Sequence, residues 1–189
     1  MGGGSLTPAM KRAVFLDRDG VLNKAVLRDG VPGSPETIEQ LVIVPDALAA
    51  LAALRRHGFR LIVVTNQPDI ARGRVARVTV EAINDRIRAA LPIDAVEMCD
   101  HDDQDNCECR KPKPGMLLRA AARESIALDM SYMVGDRWRD IEAGRNASCR
   151  TILIGDGCGE RLRSQPDLKV ATLREAVDWI LAQKDKDHA

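Results

Sequence analysis

Ala13-Val14-Phe15-Leu16 is an unbroken apolar run that stops at Asp17-Arg18-Asp19-Gly20. A run of that length with no polar alternation reads as a strand buried on both faces of a parallel sheet. The pattern returns in Arg60-Leu-Ile-Val-Val, which ends at Thr65-Asn66, and in Ser131-Tyr-Met-Val-Gly135, which ends at Asp136. Ala95–Met98 and Arg150–Ile154 read as two more strands, and Leu41–Val44 as a short strand or a loop. Helical segments separate them: 45–57, 78–91, 115–126, 138–144 and 172–181. Pro45 opens the first and Gly58 stops it. Thr172 with Glu175 reads as a capping box at the start of the last. The alternation predicts an α/β fold, a doubly wound and mostly parallel Rossmann-like sheet with helices on both faces. The Gly- and Pro-containing stretch 21–36 reads as irregular.

In such a sheet, ligands bind just beyond the carboxyl ends of the strands. Asp17 and Asp19, Thr65 and Asn66, and Asp136 all fall at such ends, and Lys111 lies in the loop before the third helix. Asp17 and Asp19 on a turn bent by Gly20 can hold a hard cation, or act as nucleophile and acid/base, or simply form an Asp-Gly turn. The whole set suits phosphoryl transfer. A metal and a lysine neutralise phosphate oxygens, a threonine donates to one, and a carboxylate attacks.

Formal net charge is +0 and aromatics are 3%. There is thus no global field to draw nucleic acid or an anionic membrane, and no base-stacking platform. No apolar run approaches the ~20 residues of a membrane helix, and the N-terminus lacks a signal-like stretch. The expectation is a cytoplasmic enzyme, a monomer or weak oligomer, whose partner is a small phosphorylated metabolite. Residues 13–183 read as one domain between a flexible leader, 1–12, and a frayed tail, 184–189. The intervals Asp17–Thr65 and Thr65–Lys111 each hold one loop, one helix and one strand, which leaves no room for a large cap domain. Specificity then falls to the loops Asn23–Arg28, Gln67–Arg74 and the cysteine-rich loop.

That loop is Cys99-Asp-His101-Asp-Asp-Gln-Asp-Asn-Cys107-Glu-Cys109. Cys99, His101, Cys107 and Cys109 form a tetrahedral Zn²⁺ ligand set with no open position, hence a structural metal. A chance cluster or a reactive dithiol is the other reading. Closed on zinc, the loop would position Arg110 and Lys111 directly after it. Cys149 and Cys158 read as inert thiols, His57 as a residue complementing a helix C-terminus, Trp138 as a core residue and Trp179 as part of the last helix's packing face.

Asp17-Arg-Asp19-Gly, Val-Val-Thr65-Asn66, Arg110-Lys111-Pro and Gly135-Asp136-Arg-Trp-Arg-Asp140 resemble, in order, the four motifs of the haloacid-dehalogenase-type phosphatases. The zinc loop narrows the likeness to the group that includes heptose-bisphosphate 7-phosphatases and the histidinol-phosphate phosphatase domain. Arg110-Lys-Pro-Lys-Pro-Gly-Met-Leu-Leu and Tyr-Met-Val-Gly-Asp are closer to the heptose enzymes. The resemblance implies an Mg²⁺-dependent phosphomonoester hydrolase. Asp17 would be the nucleophile and Asp19 the acid/base, while Thr65 and Lys111 would hold the phosphoryl group. Mg²⁺ would sit on Asp17, the carbonyl of Asp19 and Asp136. Asn66, Arg72, Arg110 and Arg137 would contact substrate. Asp140 would support the site from outside, or serve only as an acid at a helix N-terminus. The chain departs from the heptose pattern at Pro68-Asp69, where Ser-Gly is expected, and at Val21, where Thr is. A carboxylate at Asp69 would disfavour a second phosphate and suit an ammonium. A phospho-acceptor domain would also place acids and a lysine at strand ends, but not a cysteine-rich loop. A zinc-dependent nucleic-acid module fits neither the charge nor the acidic loop.

Overall fold

The strand that starts the sequence argument is the centre of the sheet. The structure, a computed structural model, describes residues 10–186, with side chains through Gln183 of the last helix. β1 (Arg12–Leu16) is followed by a hairpin of β2 (Val26–Arg28) and β3 (Val31–Gly33), then α1 (Ala47–Arg56) and β4 (Phe59–Asn66). Next come α2 (Arg77–Ala90), β5 (Ala95–Cys99), α3 (Gly115–Glu124), β6 (Tyr132–Gly135) and α4 (Trp138–Asn146). β7 (Arg150–Ile154), β8 (Leu168–Val170) and α5 (Leu173–Lys186) complete it.

Six strands pair in the order β5-β4-β1-β6-β7-β8, every pair parallel. The chain winds outward from β1 through β4 to β5, then returns to β1's other side for β6 and onward. That reversal makes the crevice beyond β1, β4 and β6 the switch point of the sheet.

Side chains alternate between faces along a strand, so each strand feeds two cores. Val14 and Leu16 of β1 with Leu61 and Val63 of β4 pack with Leu51 and Leu54 of α1, Ile83 and Ile87 of α2, and Ala176 and Ile180 of α5. Ala13 and Phe15 with Ile62 and Val64 meet Met116, Leu117 and Ala120 of α3 and Ala143 of α4 on the opposite face. This is the expected α/β sandwich.

Several details differ from expectation. The stretch 21–36 holds the β2–β3 hairpin, whose Asp29 and Gly30 both have positive φ, 50° and 78°. A two-residue Asp-Gly turn of that kind matches strand twist and closes a hairpin. β8 is a further edge strand, and Ile43 makes only an isolated bridge to Asn23. Trp138 lies half-buried outside both cores, with the guanidinium groups of Arg139 and Arg163 at 4.8 and 3.7 Å from its ring centre. Flanking arginines satisfy the ring where the core expectation would have buried it. Trp179 does pack on the core, edge to face with Tyr132. Thr172 caps α5 as expected, accepting from the Glu175 N–H, but the Glu175 carboxylate takes the Ala171 N–H instead of closing the box on Thr172. α5 runs on to Lys186, into the segment expected to fray; residues 1–9 of the expected leader and 187–189 of the tail lie outside the described residues. Among the described residues no helix is long and apolar enough to cross a membrane.

Candidate active site and cysteine-rich loop

Asp17 leaves β1 with its N–H still bonded to the Val134 carbonyl of β6, so the backbone ladder carries it to the sheet edge. Asp136 follows β6 directly, and Asp140 lies in the first turn of α4. Ligand oxygens of Asp17, Asp136 and Asp140 all fall within 4.8 Å of one another, and all three residues are buried. Lys111 Nζ enters this set from the loop before α3. It donates to Asp17 Oδ1 at 2.7 Å and to the Val64 carbonyl at 2.8 Å, and lies 2.5 Å from Asp140 Oδ1. Burial opposes the lysine charge, but Asp140 and Asp17 outweigh it and raise its pKa, so the ammonium is kept.

One ammonium does not neutralise three carboxylates. Burial, opposed by Lys111 and reinforced by Asp140 and Asp19, leaves Asp17 at about 6. Burial and repulsion from Asp17 and Asp140 push Asp136 to about 8. Asp136 Oδ1 is buried without a hydrogen-bond partner. An orphaned carboxylate oxygen beside crowded acids is the donor set a hard divalent cation satisfies. Gly20 is part of the fit: it sits at φ +89°, and a Cβ there would collide with the Asp136 carboxylate.

Asp19 has a different set of partners. Arg18, fully buried, forks onto it at 3.2 and 2.9 Å, and Asn23, Ser34 and Gln67 donate at 2.9, 2.8 and 2.8 Å. Burial raises its pKa, but the Arg18 charge and the hydrogen bonds of Arg18, Asn23 and Ser34 outweigh that and hold the carboxyl below its usual range. Arg18, Asn23, Ser34 and Gln67 escaped the sequence reading. The signal for the first was its position between two functional acids, which leaves an arginine at a buried strand end nowhere to go but onto one of them. Thr65 is buried and accepts from Gln67 Nε2 at 2.8 Å, which leaves its hydroxyl hydrogen for another acceptor.

Asp140 carries both roles considered for it. Its Oδ1 faces Lys111 and its Oδ2 accepts the Arg137 N–H at 3.0 Å, the capping bond of α4. Gly135 is required beside it, because a Cβ there would meet the Asp140 side chain. Asn66 lines the cleft, but its amide is engaged by the Lys111 backbone, donating to the carbonyl at 3.0 Å and accepting the N–H at 3.1 Å. It positions the lysine. Cys158, expected as an inert thiol, has a partner in the site: its Sγ donates to Asp136 Oδ2 at 3.2 Å. The loop after β7 turns back over the neighbouring strand end, a proximity that sequence spacing does not reveal.

Beside these groups lies a cleft of about 350 Å³, whose lining does not include Thr65, Asp136 or Cys158. Asp17, Asp19, Lys111 and Asp140 line it, together with Arg72, Arg110, Arg137 and Arg139. Arg72, Arg110 and Arg137 are the arginines the resemblance implies; Arg139 joins them in the structure. The hairpin contributes Val31, Pro32 and Gly33, with Ser34 just after it, in place of the expected Asn23–Arg28. Asn23 is fully buried on Asp19 instead. Asp69 also lines the cleft, but Arg72 and Arg74 lie 3.4 and 3.6 Å from its Oδ1.

The four candidate zinc ligands meet at the end of β5. Cys109 Sγ is 3.1 Å from Cys99 Sγ and 3.3 Å from Cys107 Sγ, and Cys99 and Cys107 are 3.6 Å apart. His101 Nδ1 lies 3.3 Å from Cys109 Sγ and 3.7 Å from Cys99 Sγ. These are too long for a disulfide, about 2.05 Å. A tetrahedron of thiolates around an ion with metal–sulfur bonds of about 2.3 Å has edges of about 3.8 Å, which the Cys99–Cys107 spacing approaches and the two Cys109 spacings fall short of. Burial opposes ionisation of Cys107, yet hydrogen bonds from Cys109, the Arg110 backbone and Cys99 bring it down to about 7. Gly115 lets the loop close against α3, since a Cβ there would strike the Glu108 carbonyl.

Comparison with known proteins follows the same lines. A family model described as "HAD-hyrolase-like" matches residues 108–176. The D-glycero-beta-D-manno-heptose-1,7-bisphosphate 7-phosphatase of Bordetella bronchiseptica is 35% identical over 166 residues, covering 85% of this chain and 90% of that protein. The protein of the same name from Pseudomonas putida is 36% identical over 155 residues, 79% of this chain and 86% of the relative. The crystal structure of the D,D-heptose 1,7-bisphosphate phosphatase from B. bronchiseptica, complexed with magnesium and phosphate, superposes with a TM-score of 0.80 at 31% identity, covering 91% of this chain and 99% of that one.

Proposed function

The chain belongs to the D-glycero-beta-D-manno-heptose-1,7-bisphosphate 7-phosphatase family of HAD-like phosphatases, and on that premise we propose that it hydrolyses the 7-phosphate of D-glycero-D-manno-heptose 1,7-bisphosphate. The observation that carries the substrate class is a cleft lined both by a buried Lys111–Asp17 pair and by four arginines. One phosphate meets the carboxylates and lysine, and a second needs cations elsewhere in the same cleft. Histidinol phosphate would need an acidic wall for its ammonium. Asp69, the candidate for that role, already faces Arg72 and Arg74.

Asp17, Asp136 and the carbonyl of Asp19 would hold Mg²⁺, which when bound neutralises phosphate oxygens. Lys111 adds a fixed positive charge and Thr65 a hydroxyl donor. Asp17 attacks phosphorus in line, and the ester oxygen leaves with a proton from Asp19. The resulting aspartyl-phosphate is opened by water, whose proton returns to Asp19, freeing Asp17 and inorganic phosphate. The surroundings of Asp19 favour its ionised form, which suits the second step and makes the first depend on prior protonation. Cys99, His101, Cys107 and Cys109 would hold a structural Zn²⁺ that fixes the loop leading into Arg110 and Lys111.

The test is phosphate release, with Mg²⁺, across the heptose bisphosphate, sugar monophosphates and histidinol phosphate. The bisphosphate should have the highest kcat/KM. A higher value for histidinol phosphate would overturn the reading.

A further inference from the structure

Three arginines of the cleft do not face solvent ions alone. They face two carboxylates of the cysteine-rich loop. Arg72 forks onto Asp102 at 2.7 and 2.8 Å. Arg110 donates to Asp103 Oδ1 at 2.8 Å, with Asp102 further off at 3.8 Å. Arg139 donates to both oxygens of Asp103, at 3.1 and 3.2 Å.

The two acids are held differently. Asp102 caps the short turn 103–105: it accepts the Asp103 N–H, and its own N–H donates to Asp105. Its side chain is 22% exposed. Asp103 is 55% exposed, and among the described residues its carboxylate meets only Arg110 and Arg139. Asp102 is therefore an anchor for Arg72. Asp103 is an anion resting between two guanidinium groups at the cleft wall, with water to return to.

We propose that Asp103 is a resident anion in the position of the substrate's second phosphate and yields that position on binding, so that Arg110 and Arg139 favour a bisphosphate over a monophosphate and Asp103 tempers that preference. This rests on the bisphosphate reading above. A phosphate dianion brings more charge and three acceptor oxygens to the two guanidinium forks, where a carboxylate brings one charge and two oxygens. The pair is open to water on the Asp103 side, 55% exposed against 11% for Arg110 and 30% for Arg139, so the carboxylate can exchange into solvent. A substrate with one phosphate cannot make the exchange, and the arginines stay neutralised. Asp103 thus keeps the two guanidinium groups neutralised until a second phosphate displaces it, at some cost in bisphosphate affinity.

The experiment measures kcat and KM of the metal-replete enzyme for heptose 1,7-bisphosphate and for p-nitrophenyl phosphate, in wild type, Asp103→Asn, Asp103→Glu, Arg139→Ala and Asp103→Asn/Arg139→Ala. Asp103→Asn should lower KM for the bisphosphate roughly three- to tenfold, with the change in KM and not kcat. Its ratio of kcat/KM values, bisphosphate over p-nitrophenyl phosphate, should rise. Arg139→Ala should lower that ratio, and in its background the Asp103→Asn gain should shrink. Asp103→Glu keeps the charge and should stay near wild type. An unchanged or higher bisphosphate KM in Asp103→Asn, with melting temperature and zinc content intact, overturns the proposal. So does an Asp103→Glu variant that behaves like Asp103→Asn. A wild type with no preference for the bisphosphate would instead sink the functional reading, and this inference with it.

Discussion

Asp140→Asn is the sharpest probe of how the site is held together. The carboxylate accepts on both oxygens, from Lys111 on one and the Arg137 N–H on the other. Asparagine has one acceptor oxygen, so its amide nitrogen must face either an ammonium or a backbone N–H. Lys111 and Asp140 side chains are each only 3% exposed. Breaking a pair this buried ordinarily costs about 3–5 kcal/mol. Asp17 remains as a partner for the lysine, and repulsion on Asp17 and Asp136 is relieved, so about 2–3 kcal/mol is expected here. If the helix cap is lost instead, the loss is about 1 kcal/mol. A domain of this size loses about 2–4 °C of Tm per kcal/mol, so the pair-breaking case predicts a fall of about 5–10 °C. Displacement of the lysine by an ångström should lower kcat/KM about 100-fold. Circular-dichroism melts and steady-state kinetics on the same preparation check both. A melting temperature and an activity both near wild type would refute the clamp. A lower Tm with activity retained would leave Asp140 as a helix cap only.

Cys107→Ser should strip zinc, lower Tm and reduce activity together, because metal binding supplies folding energy to a loop with little core of its own; elemental analysis finding no zinc in carefully prepared wild type would remove the metal from the loop. Asp19→Asn should depress turnover of a sugar phosphate far more than that of p-nitrophenyl phosphate, whose leaving group needs no proton; equal losses on both substrates would deny Asp19 the acid role. The gain in Tm on adding Mg²⁺ should grow with pH. Asp17 at about 6 and Asp136 at about 8 both stand above the ordinary 3.8. Their protonated forms therefore stabilise the metal-free fold at low pH, and that stability is lost as pH rises through those values, where Mg²⁺ finds its carboxylates ionised. A Tm gain that is the same at about pH 5 and pH 9 would contradict this.

The sheet and the positions of Asp17, Thr65, Lys111 and Asp136 were legible in the chain itself. Apolar runs of four or five residues that stop at polar groups, alternating with helical segments, fit strands buried in a parallel sheet, and their carboxyl ends then share one edge. The hairpin was legible too and went unread: Asp29-Gly30 between Val26-Leu27-Arg28 and Val31 carries the turn chemistry of a two-residue hairpin loop. What each polar group faces belonged to the tertiary structure alone. Asn66 on the Lys111 backbone, Ser34 and Gln67 on Asp19, Cys158 on Asp136 and Arg139 on Asp103 join residues far apart in sequence. Hydrophobic periodicity is a local property, and it sets which elements form. A side-chain hydrogen bond depends on distance and direction to within a fraction of an ångström, and those are fixed only once two cores have packed the strands and helices around one sheet edge.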